Sequence, residues 1–144
     1  MATIYDVAAY ILAKQSPVSH MKLHKLAYYS QAWSLVWDDA ALFGEKIEAW
    51  VNGPVIPPLY FSFQGQYSIT PEQITQGKAE NLTASQRQTV DMVLKFYGDK
   101  SAQWLSDLTH AEDPWRLARA GLPVGERSNN EITLASMAEY YSGL

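Results

Sequence analysis

Apolar residues recur with helical spacing in two stretches at the start of the chain. In the first stretch they are three and four residues apart and predict one buried helix face: Ile4, Val7, Ala8, Ile11 and Leu12. Thr3 has a side chain suited to cap the start of this helix, and Pro17 stops it because proline cannot continue a helix. The pattern therefore predicts an amphipathic first helix between these two residues.

The second stretch runs from Ser19, its predicted cap, to about Asp38 and is apolar on two opposite sides. One side holds Leu23, Leu26, Ala27, Ser30, Trp33 and Trp37, and the other holds Tyr28, Tyr29, Ala32, Leu35 and Val36. Two narrow polar edges separate these sides, with Lys22 and Lys25 on one and His20, His24 and Gln31 on the other. A helix that is apolar on two sides packs between other elements, so we predict that it is the centre of the domain.

The rest of the chain predicts further helices and one minor β-hairpin. Residues 43–51 alternate like a short hairpin, with a helical turn as the alternative, and Gly53 follows where the chain needs a backbone angle that other residues avoid. Residues 64–81 are polar and predict a surface loop with at most a short turn. Helix starts are predicted at Pro57 or Pro58, Thr83, Ser101, Asp113 with Pro114, and Ser128 or Thr133. We therefore predict a mainly α fold, a compact single-domain helical bundle around the buried helix at residues 19–38.

The composition fits one globular domain and excludes several kinds of chemistry. With 144 residues, of which 47% are hydrophobic and 18% charged, the chain is expected to form a single domain over residues 1–144. It has no cysteine, which excludes disulfides, cysteine-ligated metal sites and thiol catalysis. The net charge of −4 disfavours a nucleic-acid partner. Because the chain has neither a basic leader nor a long apolar run, we expect a cytoplasmic protein with no membrane partner.

Two histidines have the spacing of a metal site. His20 and His24 are four residues apart on one helix, so their imidazoles could share a cation. The residues between them include no carboxylate, and Lys22 and Lys25 would repel a cation. We therefore predict no metal site and interpret the pair as two surface histidines beside a helix cap.

The densest polar cluster surrounds His110 and Asp113 and includes Arg116 and Arg119. An imidazole beside carboxylates can act as a general base, yet the chain offers no cysteine nucleophile and no serine in a nucleophile-elbow context. We interpret the cluster as a turn between two helices in which Asp113 caps the second. A small metal- or nucleotide-dependent enzyme that uses His110 and Asp113 remains an alternative.

The glycine spacing argues against a cofactor site, whereas four aromatic residues favour a protein-binding surface. Gly44, Gly53 and Gly65 match neither the dinucleotide-binding nor the phosphate-loop spacing, so we predict no cofactor. Four aromatic residues flank an irregular, proline-rich turn and are predicted partner-binding anchors: Trp50, Tyr60, Phe61 and Phe63.

Four segments together carry a family resemblance: residues 22–33, residues 47–60, residues 104–119, and Ile132 with residues 137–141. Their order and spacing resemble the Panacea domain, also called the SocA-like or phage-associated-protein domain, over residues 20–141. The resemblance assigns a structural role to the following motif residues: Leu26, Tyr28, Tyr29, Gly53, Pro54, Trp104, Thr109, His110, Asp113, Pro114, Trp115 and Arg119.

The resemblance implies an antitoxin of a prokaryotic toxin–antitoxin system. Its partner would be a cognate protein toxin encoded by an adjacent gene, neutralised by direct protein–protein binding. One member of the family instead delivers its toxin to the ClpXP protease, so a role as proteolytic adapter is an alternative. The family has no established catalytic residues, and we expect that this chain is not an enzyme.

Overall fold

The computed structural model describes all 144 residues and contains seven α-helices. The helices are α1 (Ile4–Lys14), α2 (His20–Trp37), α3 (Pro57–Ser62), α4 (Ala84–Tyr97), α5 (Ala102–His110), α6 (Asp113–Ala118) and α7 (Leu134–Ser142). The strands are β1 (Val18–Ser19), β2 (Ile47–Trp50), β3 (Gly53–Val55), β4 (Ser68–Ile69) and β5 (Glu131–Ile132). The predicted class, mainly α with a minor β-hairpin, is confirmed. None of the helices combines the length and apolarity needed to cross a membrane.

Helix α2 is the centre of the fold, as its two apolar sides predict. It packs against α1, α4, α5 and α7 and also contacts β3 and α3. The Ser19 hydroxyl accepts a hydrogen bond from the Lys22 N–H at 3.2 Å, which fixes the start of the helix. Residues of both sides, Leu23 and Leu26 on one and Tyr28 and Tyr29 on the other, are fully buried.

The polar edges of α2 are buried too. His20, His24 and Lys25 are 8%, 2% and 1% exposed, so the interpretation of the two histidines as surface residues is wrong. Gln31, on the edge of His20 and His24, forms hydrogen bonds with the backbone. Its amide NH2 donates to the Phe43 carbonyl at 2.8 Å, and its amide oxygen accepts from the Leu42 N–H at 2.6 Å. From Leu23 to Ala32 every residue of the helix is buried, so the polar groups in this stretch need partners inside the protein.

The minor hairpin pairs β2 with β3, in the register Glu48 opposite Val55 and Trp50 opposite Gly53. Its first strand lies within the predicted span of residues 43–51, but its second strand follows the turn and lies beyond that span. Gly53 has a φ of +123°, the conformation for which glycine was expected. Strand β5 pairs with the other edge of β2, with Ile47 opposite Ile132.

The polar segment after α3 is fixed to the core at several points. Strand β4 pairs with β1, and Ile69 and Ile74 are buried although the segment was predicted as a surface loop. Asp6 on α1 accepts hydrogen bonds from the Lys78 N–H at 2.9 Å and the Asn81 amide at 3.0 Å. Buried contacts of this kind hold the segment against α1.

Local signals identify most helix starts but fail at α6. Thr3, Thr83, Ser101 and Thr133 each accept a hydrogen bond from the backbone N–H three residues later, as predicted. The prediction that Asp113 caps α6 is wrong, because the cap position is Glu112 and no side chain closes it. Asp113 is already helical and lies on the surface, with Oδ1 3.6 Å from Nη2 of Arg116.

Candidate functional site

An open pocket with a volume of about 220 Å³ lies where α2 begins, beside the β2–β3 hairpin and α3. Its principal walls are His20, His24 and Lys25 from α2, Trp50 and Val55 from the hairpin, and Tyr60 from α3. Arg127, from the loop before β5, stands at the exposed side. No acidic residue lines the pocket, although the chain as a whole has a net charge of −4.

Lys25 is the most unusual residue in this pocket. Its side chain is 1% exposed, and its ammonium group forms neither an ion pair nor a hydrogen bond with the protein. Burial lowers the pKa of Lys25 to about 8, so the group is still mainly charged at pH 7. A Cβ atom at Gly53 would lie 2.7 Å from Cε of Lys25. Gly53 is therefore required by its backbone angle, and a larger residue there would also displace the end of the Lys25 side chain.

His20 and His24 form a hydrogen-bonded pair. The Nε2 atoms of the two rings are 3.2 Å apart, and Nδ1 of His24 accepts a hydrogen bond from the Ile56 N–H at 3.2 Å. His24 must therefore carry its proton on Nε2 and donate it to Nε2 of His20. Burial lowers the pKa of both histidines, and the charge of Lys25 lowers it further. Neutral His24 thus has no free lone pair for a metal ion.

Trp50 and Tyr60 line the pocket, and the Phe61 ring lies beside both, with its centroid 6.3 Å from that of Trp50 and 5.4 Å from that of Tyr60. These three side chains are named here the aromatic rim. The Tyr60 ring stacks on His20 with a centroid distance of 5.2 Å and meets Trp50 edge-on at 4.8 Å. Phe61 is 61% exposed, whereas the other two rings are half-buried. Phe63, predicted to belong to the same surface, instead lies in the core with 3% exposure.

The polar cluster of α5 and α6 fastens these helices to the hairpin. The His110 ring stacks on Trp115 with a centroid distance of 4.0 Å. The Trp115 indole donates to the Trp50 carbonyl at 2.8 Å, and Arg119 donates to the Ala49 carbonyl at 3.1 Å. These contacts give the cluster a structural role.

The pairing of His110 with Asp113 that an acid–base mechanism requires is not formed. Asp113 interacts with Arg116 on the surface, and Nε2 of His110 is buried without a hydrogen-bond partner. Burial lowers the pKa of His110, and the charge of Lys25 adds to this effect. The charge of Asp107 opposes this lowering only in part.

A known protein family matches the part of the sequence that forms most of these elements. The profile of the family described as antitoxin SocA-like, Panacea domain, matches residues 23–116, which is more than half of the chain. The chain belongs to the SocA-like Panacea antitoxin family. Comparisons with curated proteins and with solved structures gave no match. The matched residues of this Panacea domain contain most of α2, the hairpin, the aromatic rim and most of the α5–α6 cluster.

The motif residues of the Panacea domain lie in three settings. Leu26, Tyr28 and Tyr29 are in the core of α2. Gly53, Pro54, Thr109, His110, Pro114, Trp115 and Arg119 form the junction between the hairpin and α5–α6. Trp104 and Asp113 are on the surface, where Trp104 is 46% exposed and stacks under the ammonium of Lys100 at 5.1 Å.

Sequence reasoning missed Lys25 as the central group of the pocket. The signal was present, because a helix that is apolar on two sides leaves its narrow edges facing neighbours as well. What the sequence does not contain is the position of the hairpin and α3, which close over this edge.

Proposed function

We propose that this Panacea domain is the antitoxin of a prokaryotic toxin–antitoxin pair and that it neutralises its cognate toxin by direct binding. It would act in the cytoplasm on a toxin encoded by an adjacent gene, without catalytic turnover. The observation that carries the proposal is the aromatic rim. Tryptophan and tyrosine are the residues most often found as energetic anchors of protein interfaces.

The rim is held in place by its supporting elements. Strand β2, which carries Trp50, is paired on both sides, with β3 and β5. Helix α3 is anchored by Leu59, which is fully buried, and by the Tyr5 hydroxyl, which donates to the Pro58 carbonyl at 3.1 Å. An anchor that is already ordered loses little conformational entropy when a partner binds. This rigidity supports the rim as a preformed contact surface.

Overall charge supports a partner with a basic surface. The net charge of −4 speeds association with a positively charged protein, an effect that falls as salt rises. Glu48 accepts a hydrogen bond from the Trp50 indole at 2.9 Å and so places one carboxylate beside the rim. We therefore propose that long-range attraction brings the toxin in and that the rim supplies the contact.

Growth rescue and co-purification test this proposal. Co-expression with the toxin from the adjacent gene should restore growth, and the two proteins should purify together. Phe61→Ala should abolish rescue, whereas Phe96→Ala should not, because Phe96 is 56% exposed on α4, outside the rim. Rescue that requires ClpXP and yields no stable complex would replace direct neutralisation by the adapter mechanism. Failure to rescue growth from any adjacent toxin would refute the antitoxin role.

A further inference from the structure

We propose that the pocket at the start of α2 binds a small organic oxyanion, a phosphate or a carboxylate. Lys25 would hold the charged group, and the uncharged part would pack against Trp50, Val55 and Tyr60. This inference goes beyond the proposed function, because a free ligand of this kind needs no toxin in order to bind.

The charge of Lys25 favours an anionic ligand. An ammonium group removed from water requires an opposite charge or several hydrogen-bond acceptors to offset the loss of hydration. The protein supplies neither to Lys25, whose side chain is 1% exposed. The ammonium nitrogen is not among the fully enclosed atoms, so it faces the open pocket that Lys25 lines. An oxyanion in the pocket would provide both the charge and the acceptors.

The residues that line the pocket also favour an anion. No aspartate or glutamate lines the pocket, so nothing there competes with an anion for Lys25. Arg127 adds a second cationic group at the open side, and Asn52, Ser128 and Asn129 add neutral polar groups. A cation is excluded by the same features, since Lys25 repels it and the hydrogen bonds of His24 leave that ring no lone pair.

The size of the pocket favours a ligand larger than an inorganic ion. A pocket of about 220 Å³ exceeds the ~150 Å³ of an engineered protein cavity that holds benzene, so it is larger than a single phosphate or carboxylate group needs. The remaining volume is bordered by the apolar surfaces of Trp50, Val55 and Tyr60. We therefore expect an oxyanion that is attached to an apolar or planar group.

NMR of the lysine side chains tests this inference on the isolated protein. The Cε resonance of Lys25 is followed at pH 7 during titration with inorganic phosphate, phenyl phosphate, acetate and benzoate. Sodium chloride at matched ionic strength is the reference. Phosphate, acetate or both should give a saturable shift at Lys25. The aromatic member of each pair that binds should do so at least threefold more tightly than the plain ion.

Variants identify the group that holds the anion. Lys25→Met should weaken binding at least tenfold, followed through the indole resonance of Trp50. Lys22→Met is the matched control and should change affinity less than twofold, because Lys22 is directed to the Gly98 carbonyl at 2.6 Å. Trp50→Ala should remove most of the advantage of the aromatic probes while keeping the Lys25 shift.

The phosphate and carboxylate arms decide which oxyanion the pocket prefers, and saturation by either supports the inference. It is overturned if all four probes move Lys25 no more than sodium chloride does, which would mean that water alone solvates the ammonium. It is also overturned if folded Lys25→Met keeps its affinity within twofold. Neither result bears on growth rescue, so the antitoxin proposal is tested separately.

Discussion

Two buried ionisable groups in or beside α2 differ in their hydrogen-bond partners. Glu112 accepts hydrogen bonds from the hydroxyls of Tyr29 at 2.7 Å and Tyr141 at 2.8 Å, and the Tyr28 hydroxyl lies 3.0 Å from that of Tyr141. Lys25, one turn before Tyr29 on the same helix, has no partner in the protein. The first arrangement is complete without a ligand, whereas the second is not.

The comparison separates a region that holds the fold from a region available for binding. Tyr28, Tyr29 and Tyr141 are buried around Glu112, and their hydroxyl groups are all engaged. Around Lys25 the aromatic rings of the rim are exposed or half-buried and border open space. Similar side chains thus serve stability in one place and leave a surface free in the other.

The largest expected effect is that Lys25→Met stabilises the protein. Burial lowers the pKa of this lysine from 10.5 to about 8. While both the folded and the unfolded state carry the charge, this shift corresponds to a free energy of unfolding that is lower by about 2–4 kcal/mol. Methionine fills a similar volume without a charge to desolvate. Chemical unfolding at pH 7 should therefore show a free energy of unfolding higher by about 2–4 kcal/mol.

The pH dependence of the stability difference between Lys25→Met and the wild type tests whether the charge of Lys25 is its cause. Below pH 8 Lys25 is protonated in both the folded and the unfolded state, and the full cost of burying its charge lowers the stability of the wild type. Between pH 8 and 10 the folded state releases this proton first, so the stability of the wild type rises towards that of Lys25→Met. The two stability curves should converge over this range. A constant difference between pH 7 and pH 10 would contradict an uncompensated Lys25.

Removal of one donor to Glu112 should have the opposite sign. Tyr141→Phe leaves a buried carboxylate with a single tyrosine partner and should lower the free energy of unfolding by about 1.5–3 kcal/mol at pH 7. Burial raises the pKa of Glu112 while the two tyrosine hydroxyls oppose that shift, so the loss should shrink at acidic pH as the carboxyl group protonates.

Tyr140→Phe is the control for that substitution. Tyr140 is the neighbouring residue on α7 and its hydroxyl makes no hydrogen bond to Glu112, so its variant should stay within about 0.5 kcal/mol of the wild type. Equal effects of the two variants would show that the network around Glu112 is not special.

The smallest expected effect concerns the helix caps. Ser101→Ala should cost about 1 kcal/mol, because it removes a side-chain acceptor for the Trp104 N–H at 3.0 Å. Asp113→Ala should cost less than about 0.5 kcal/mol, since Asp113 caps nothing and its ion pair with Arg116 is on the surface. Thermal unfolding of both variants distinguishes a true cap from an apparent one.

The sequence could predict features that depend on neighbours along the chain. Caps at Thr3, Ser19 and Thr83 and the backbone angle at Gly53 follow from local chemistry, and all were found. At the start of α6 the cap residue Glu112 leaves the helix uncapped, because its carboxylate accepts hydrogen bonds from Tyr29 and Tyr141, 83 and 29 residues away. No local signal reports such a contact.

The candidate site was only partly predictable for the same reason. Trp50, Tyr60 and Phe61 flank a proline-rich turn, a local feature that favours exposed rings. Phe63 lies two residues further on, and only the packing of α3 turns Phe61 outward and Phe63 into the core. The burial of His20, His24 and Lys25 likewise depends on the hairpin and α3, which close over the start of α2.

The most direct test of the central claim, that the rim is the toxin-binding surface, is the toxin affinity of two phenylalanine variants. Phe61→Ala should weaken binding by about 2 kcal/mol, roughly thirtyfold, with unchanged thermal stability, while Phe96→Ala should bind like the wild type. Equal affinities of both variants and the wild type would contradict the claim and would place the toxin contact on another face of the domain.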